Sequence, residues 1–244
     1  MRIPLCLLWG VFVSAGDFSN TLINAVWLHR TSQELLMSLS LTKIFDAPGP
    51  HPNGLQATTE GLWILDQGNN KVSCHAYHDG ALLKIFDTDS DKGSGVTDSG
   101  THLWLSSTYS RETLKIDRST GETIERYETP GAKETGAHGL EWKDGELWMS
   151  SPPDAMIYRM NPDTWTVIHS FAAPGDRPHG IAWENGKLWC VETNHKAIYL
   201  LDPETGAHLD RLEVEGPEPH GFTMWQGEFW VANDTGDVYR GVRE

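Results

Sequence analysis

Pro178-His179-Gly180-Ile181-Ala182-Trp183-Glu184-Asn185-Gly186-Lys187-Leu188-Trp189 is the stretch whose reading decides the fold. GIAWE and KLWCVE are short apolar-rich runs, and the Asn185-Gly186 pair between them is the two-residue turn that joins antiparallel strands with the native twist. The same text recurs along the chain as HPNGLQATTEGLWILD, GSGVTDSGTHLWLSS, AHGLEWKDGELWMSS and PHGFTMWQGEFWVAN. The repeat glycines are Gly54, Gly95, Gly139, Gly180 and Gly221, spaced by 41, 44, 41 and 41 residues. Nine positions after each stands a tryptophan: Trp63, Trp104, Trp148, Trp189 and Trp230. One offset kept in five copies is the signature of a repeat architecture.

Each copy continues with a third strand (TLKID, MIYRMN, AIYLLD), a turn such as DRSTG 117–121 or DPETG 202–206, and a fourth strand (TIERYE, TVIHSF, HLDRLEV). Four short strands per ~41-residue repeat predict an all-β fold, a five-bladed β-propeller of four-stranded blades. The fifth copy lacks its fourth strand, whereas LMSLSLTKIFDAP at 36–48 precedes the first copy as a lone strand. It is expected to complete the last blade and leave no open edge. The tryptophans then pack between neighbouring sheets.

Composition narrows the function. The balance of 19 basic against 34 acidic residues, a net charge of −15, repels phosphate backbones and anionic lipid and excludes a nucleic-acid role. Arg2, the apolar run at 3–13 and the small residues Ser14 and Ala15 read as a secretory signal over 1–16, too short to span a bilayer. A wrongly placed start or a buried strand is the alternative. The expected location is secreted or periplasmic. Residues 17–35 match nothing later and form an N-terminal segment of unknown role, with the propeller domain over 36–244. Cys6 falls in the signal-like start, and Cys74 and Cys190 read as small buried hydrophobes. No Gly-rich phosphate loop, CxxC pair or Gly-x-Ser-x-Gly elbow is present.

The residues just before the repeat glycines, Asn53, Ser94, His138, His179 and His220, should ring the central channel. Counting back across each hairpin puts His179 opposite Glu192, His138 opposite Ser151, His220 opposite Asn233 and Asn53 opposite Asp66. Three histidines with carboxylates near one axis suit a divalent metal, Mg²⁺ or Zn²⁺, with Glu192 as orienting group or general base. They equally suit acid–base chemistry by a histidine tuned by a carboxylate. They also suit a purely structural ring. Asn53, Ser94 and Asp66 form the side free of histidine, where a substrate would lie.

PHGIA…GKLW…VE resembles the repeats of the streptogramin lyase (virginiamycin B lyase-like) propellers over about residues 48–244, and more distantly those of NHL and gluconolactonase-type propellers. That resemblance implies opening of a cyclic depsipeptide lactone by elimination, with a histidine base and Mg²⁺ held by acidic residues. The family's Glu-x-His segment matches Glu218-Pro219-His220, and Asp234 stands where the family carries a second acidic ligand. His220 is thereby implied as base, and Glu218 and Asp234 as metal ligands, beside His138 and His179. The family has seven blades against five repeats here. The leading expectation is a metal-dependent lyase or hydrolase of an ester, lactone or related small molecule, with His220 or His179 taking the proton. A monomeric, non-catalytic secreted propeller binding a small ligand or a protein is the rival. A plant-type glutaminyl cyclase, also a five-bladed propeller, is a third option, although its motifs find no match here.

Overall fold

In the computed structural model the structure describes residues 38–216 and 218–243. The expected signal over 1–16, the segment 17–35 and Cys6 lie outside them. The fold is an all-β propeller of four-stranded sheets, with one short 3-10 turn at Pro152–Asp154. Among the described residues no helix is long and apolar enough to cross a membrane.

The first repeat forms β2 (Pro52–Ala57), β3 (Leu62–Asp66), β4 (Lys71–His75) and β5 (Leu82–Asp87). The second forms β6 (Gly93–Asp98), β7 (His102–Ser107), β8 (Glu112–Asp117) and β9 (Thr123–Glu128). The third forms β10 (Gly139–Lys143), β11 (Glu146–Ser151), β12 (Met156–Asn161) and β13 (Thr166–Ala172). The fourth forms β14 (Pro178–Glu184), β15 (Lys187–Glu192), β16 (Ala197–Leu201) and β17 (His208–Val214). The fifth supplies β18 (Pro219–Trp225), β19 (Glu228–Asn233) and β20 (Asp237–Arg243). Its missing strand is β1 (Ser38–Asp46), which pairs antiparallel with β20 from Leu39↔Arg243 to Asp46↔Asp237. β1 also touches β17 in parallel over Ser38↔Glu213 and Leu39↔Val214, so the last two repeats merge into one eight-stranded sheet. The inner strands follow one another in a closed cycle, β2, β6, β10, β14, β18 and back to β2.

The hairpins close where the sequence placed them. Asn185 and Gly186 have φ of 50° and 75°, and Asp144 and Gly145 have 52° and 85°, the left-handed pair that such a tight turn requires. Every core cluster joins adjacent repeats. Trp63 packs with Val96 and Leu103, Trp148 with Ile181 and Leu188, Trp189 with Phe222 and Phe229, and Trp230 with Leu55 and Leu62. The tryptophans are therefore the filling between sheets, as expected. Cys74 and Cys190 are free and buried.

The repeat glycines have a separate cause. A Cβ on Gly139 would stand 2.2 Å from the His179 carbonyl oxygen, and one on Gly54 would stand 2.5 Å from that of Ser94. Neighbouring inner strands approach so closely at this level that only hydrogen fits. Two residues further along, Gln56, Thr97, Glu141 and Thr223 form a second polar level inside the cycle. Thr97 donates to Gln56, the Trp142 N–H donates to Thr97 Oγ1 at 2.8 Å, and the Ala57 N–H donates to Thr223 Oγ1 at 3.1 Å.

Candidate active site at the channel mouth

The expected pairing of the two rings is corrected by β-bulges. Pro178, not His179, lies opposite Glu192, and Pro219, not His220, lies opposite Asn233. Likewise Pro52 opposes Asp66 and Gly93 opposes Ser107, and only β10 and β11 pair without a bulge. The four bulged strands carry Pro or Gly two residues before the repeat glycine, where the third repeat has Ala137. Proline lacks the amide that would extend the ladder and is tolerated at strand starts and bulges. An extra residue enters the inner strand there, and the ring residues turn away from the partner strand.

Glu192 and Asp66 are consequently loop-holding groups and not partners of the ring. Both are buried. The Glu192 carboxylate accepts the Arg177 N–H at 3.0 and 3.2 Å, and Asp66 accepts the N–H groups of His51 at 2.8 Å and Asn69 at 2.9 Å. Ser107 does the same for the Asp91 N–H at 2.7 Å. Gly49 and Gly175 lie against these carboxylates, with no room for a Cβ. Burial raises the carboxyl pKa of Glu192 above its usual range. The catalytic role expected of Glu192 and the substrate contact expected of Asp66 do not fit these positions.

The three ring histidines do come together. His138 and His179 stand edge to face with centroids 4.6 Å apart, as do His179 and His220, and His51 extends the arc at 5.7 Å from His220. His138 Nδ1 is 3.0 Å from His179 Nε2. Burial lowers the pKa of all three: His138 is pushed down to about 3, and His179 lies well below the usual value. Positive charge from Arg177 adds to the effect, so the imidazoles are neutral at ordinary pH. Asn53 and Ser94 complete the ring, and Asn53 Oδ1 and Ser94 Oγ are buried oxygens without a hydrogen-bond partner among the described residues. A bound polar group would find acceptors there.

Arg177 is the group that sequence reasoning missed. Its guanidinium bonds Glu218 at 3.1 Å through Nη1 and reaches His220 Nε2 at 3.3 Å through Nη2. It belongs to a further column, three residues before the repeat glycine: His51, Lys92, Gly136, Arg177 and Glu218. No residue type recurs in that column, so aligning the repeats does not single Arg177 out. A cavity of about 360 Å³ opens over the ring, lined among others by His51, Asn53, Tyr109, Glu134, Arg177 and Asp234, together with the three ring histidines.

The expected metal does not fit this donor set. Glu218 and His220, its implied ligands, already share the Arg177 cation, and a divalent ion beside a guanidinium would be repelled. Nε2 of His179 is occupied by His138. Among the described residues no three His, Cys, Asp or Glu side chains converge as a metal-holding group.

No protein-family model matches the chain, and no curated protein is significantly similar to it in sequence. Solved structures are similar in fold. The glutaminyl cyclase of Myxococcus xanthus superposes with a TM-score of 0.72 at 10% identity, over 85% of this chain and 97% of that one. A catalytically inactive histidine-to-alanine virginiamycin B lyase from Staphylococcus aureus, solved with quinupristin, gives 0.54 at 20% identity, over 78% and 66%. A streptogramin B lyase gives 0.53 at 20% identity, over 79% and 65%. The chain thus spans about two thirds of the length of these two lyases and nearly all of the cyclase. It is a β-propeller similar in fold to a glutaminyl cyclase and to virginiamycin B lyases.

Proposed function

We propose that this protein is a five-bladed propeller enzyme, the eight-stranded sheet counting as two blades, that acts on an ester, lactone or related carbonyl compound at the channel mouth. Its chemistry is acid–base, without a metal. The observation that carries this reading is the Arg177 guanidinium set against a row of neutral imidazoles at the floor of one cavity. Arg177 offers N–H donors where negative charge develops on a carbonyl oxygen, and an imidazole accepts the proton that leaves the substrate. The fold is compatible with such a role, because the similar structures are a lyase and a cyclase, and the lyase variant lacking one histidine is catalytically inactive. Elimination at a lactone and cyclisation of an N-terminal glutaminyl peptide are the two reactions to try first. The signal-like start alone supports a secreted or periplasmic location, with the propeller domain over 36–244 acting as a monomer.

A non-catalytic ligand-binding propeller is the second reading, favoured by the low basicity of His138, which suits an acceptor more than a base. One assay separates the two. Purified protein is incubated with a streptogramin B depsipeptide, simple lactones and esters, and glutaminyl peptides, with and without EDTA. The enzyme reading expects turnover that EDTA leaves unchanged and that Arg177→Met lowers by about 100-fold. Turnover lost in EDTA and restored by Mg²⁺ would overturn the metal-free reading. Binding of these compounds without turnover would establish the second.

A further inference from the structure

The proton positions around the mouth follow from one another. His179 Nδ1 lies 3.1 Å from the Arg177 carbonyl oxygen and 3.0 Å from Thr193 Oγ1. A carbonyl only accepts, and the Thr193 hydroxyl proton is committed to the Pro219 carbonyl at 2.8 Å. His179 therefore carries its proton on Nδ1 and presents a bare Nε2. That Nε2 faces His138 Nδ1 at 3.0 Å, so His138 donates from Nδ1 and its own bare atom is Nε2. His220 reaches the same state independently: Nδ1 donates to the Glu218 carbonyl at 3.3 Å, and Nε2 accepts from Arg177 at 3.3 Å.

Three imidazoles thus present Nε2, and two of those atoms are taken. Nε2 of His138 has no hydrogen-bond partner among the described residues. His138 lines the cavity and is half-buried, whereas His179 and His220 are each only 2% exposed. Thr108 is the repeat equivalent of Thr193 and bonds the Ala137 carbonyl in the same way at 3.1 Å. Its own repeat has Ser94 where the repeat of Thr193 has His179, so among the described residues Thr193 is the copy of this threonine that meets a histidine pair.

We propose that His138, through Nε2, is the group at the mouth that accepts a hydrogen bond from the substrate, and that His179, held by the Arg177 carbonyl and Thr193, is the positioning residue that sets its tautomer. This rests on the proposed function and moves the substrate contact one repeat back along the chain from His179 and two from His220. A free neutral histidine side chain favours Nε2–H, so the network imposes the opposite form on all three rings.

The test uses the full chain labelled with ¹⁵N-histidine and long-range ¹H–¹⁵N correlation at neutral pH. His138, His179 and His220 are expected as Nδ1–H tautomers, and an Nε2–H signal at His138 would overturn the assignment. His179→Leu, which removes the acceptor facing His138 Nδ1, is expected to turn His138 into a tautomer mixture, whereas Thr193→Val leaves the Arg177 carbonyl in place and should keep the single form. An unchanged His138 in His179→Leu would refute the positioning role. Treatment with diethyl pyrocarbonate, followed by peptide mass spectrometry, should modify His138 while His179 and His220 stay unmodified. The reverse order would refute the free Nε2. None of these readouts needs turnover. A chain with the expected tautomers that converts no carbonyl compound removes the enzyme reading and leaves the assignment standing. Full activity in His138→Gln does the opposite.

Discussion

The two polar levels of the inner strands meet the same physical problem with different residues. At the mouth, burial strips protons from imidazoles: His138 is driven down to about 3. At the level of Gln56, Thr97 and Thr223, burial keeps a proton on a carboxyl group, and Glu141 is driven up to about 8. Desolvation penalises the charged form in both cases, so acids and bases move in opposite directions toward neutrality. The difference lies in what remains. The mouth retains a cation, Arg177, beside an open cavity, whereas the second level holds no cation and hydrogen-bonds neighbouring inner strands through Thr97 and Thr223, with Glu141 Oε2 left without a partner among the described residues. A buried polar ring becomes a site only where one charge is held at it and one acceptor is left over.

The glycine level separates the two, and disturbing it should give the largest effect. Gly139→Ala would push a Cβ against the His179 carbonyl and Ser150 Oγ, both of which belong to the framework of the mouth. Overpacking against backbone predicts a loss of about 3 kcal/mol in urea or guanidinium unfolding, with the His138–His179 contact displaced. A variant as stable as the parent would show that the inner strands can part, and the comparison of rigid levels would fail.

Next in size is the pH dependence, which should have opposite sign at the two levels. Below the ordinary carboxylate range Glu141 is neutral in folded and unfolded chains alike. As pH rises toward about 8 only the unfolded chain ionises, so this group's contribution falls, and above about 8 it is constant. Glu141→Gln removes that loss and should gain about 2 kcal/mol over the parent at pH 8, with little gain at pH 4. The imidazoles act at the other limb. Their stability contribution is complete above the usual histidine pKa near 6.5 and is lost as pH falls below it, for His138 toward about 3, because the unfolded chain protonates first. Unfolding measured from pH 3 to pH 9 for the parent, Glu141→Gln and His138→Gln would show whether each change flattens its own limb. Equal effects of both variants at every pH would dissolve the contrast.

The smallest effect sharpens it. Thr97→Val keeps the shape but removes the bond to Gln56 and the acceptor for the Trp142 N–H, at a cost of about 1 kcal/mol. The tautomers of the mouth should stay unchanged in the same spectra, since among the described residues no hydrogen bond links Thr97 to them.

Steric requirements repeated in every copy were legible in the sequence. Gly54 and its equivalents mark where inner strands nearly touch, and Trp63 and its equivalents mark where sheets must be filled, so both columns survive as identities. The lone strand at 36–48 was legible as well, because a propeller with an unpaired β20 would leave an open edge. The register of the two rings was not. One inserted residue in each of four hairpins leaves no trace in a count across the turn, although Pro52, Gly93, Pro178 and Pro219 stood at the place where it occurs. Arg177 was hidden for another reason: its column holds histidine, lysine, glycine, arginine and glutamate, and only the fold shows that this position reaches the neighbouring repeat's histidine. The metal expectation rested on counting ligands, and geometry placed a guanidinium among them.

The pairing of Leu39 with Arg243 has a consequence for the order of the chain itself. Because the first described strand ends its ladder beside the last, residues 39 and 243 could be joined by a short linker and the backbone reopened at a surface turn such as Asp144-Gly145. The rearranged polypeptide would begin and end within a single hairpin of the third repeat, while every strand kept its neighbours. In topological terms the sequence is a circle cut at one arbitrary point, and β1 is the overlap that hides the cut.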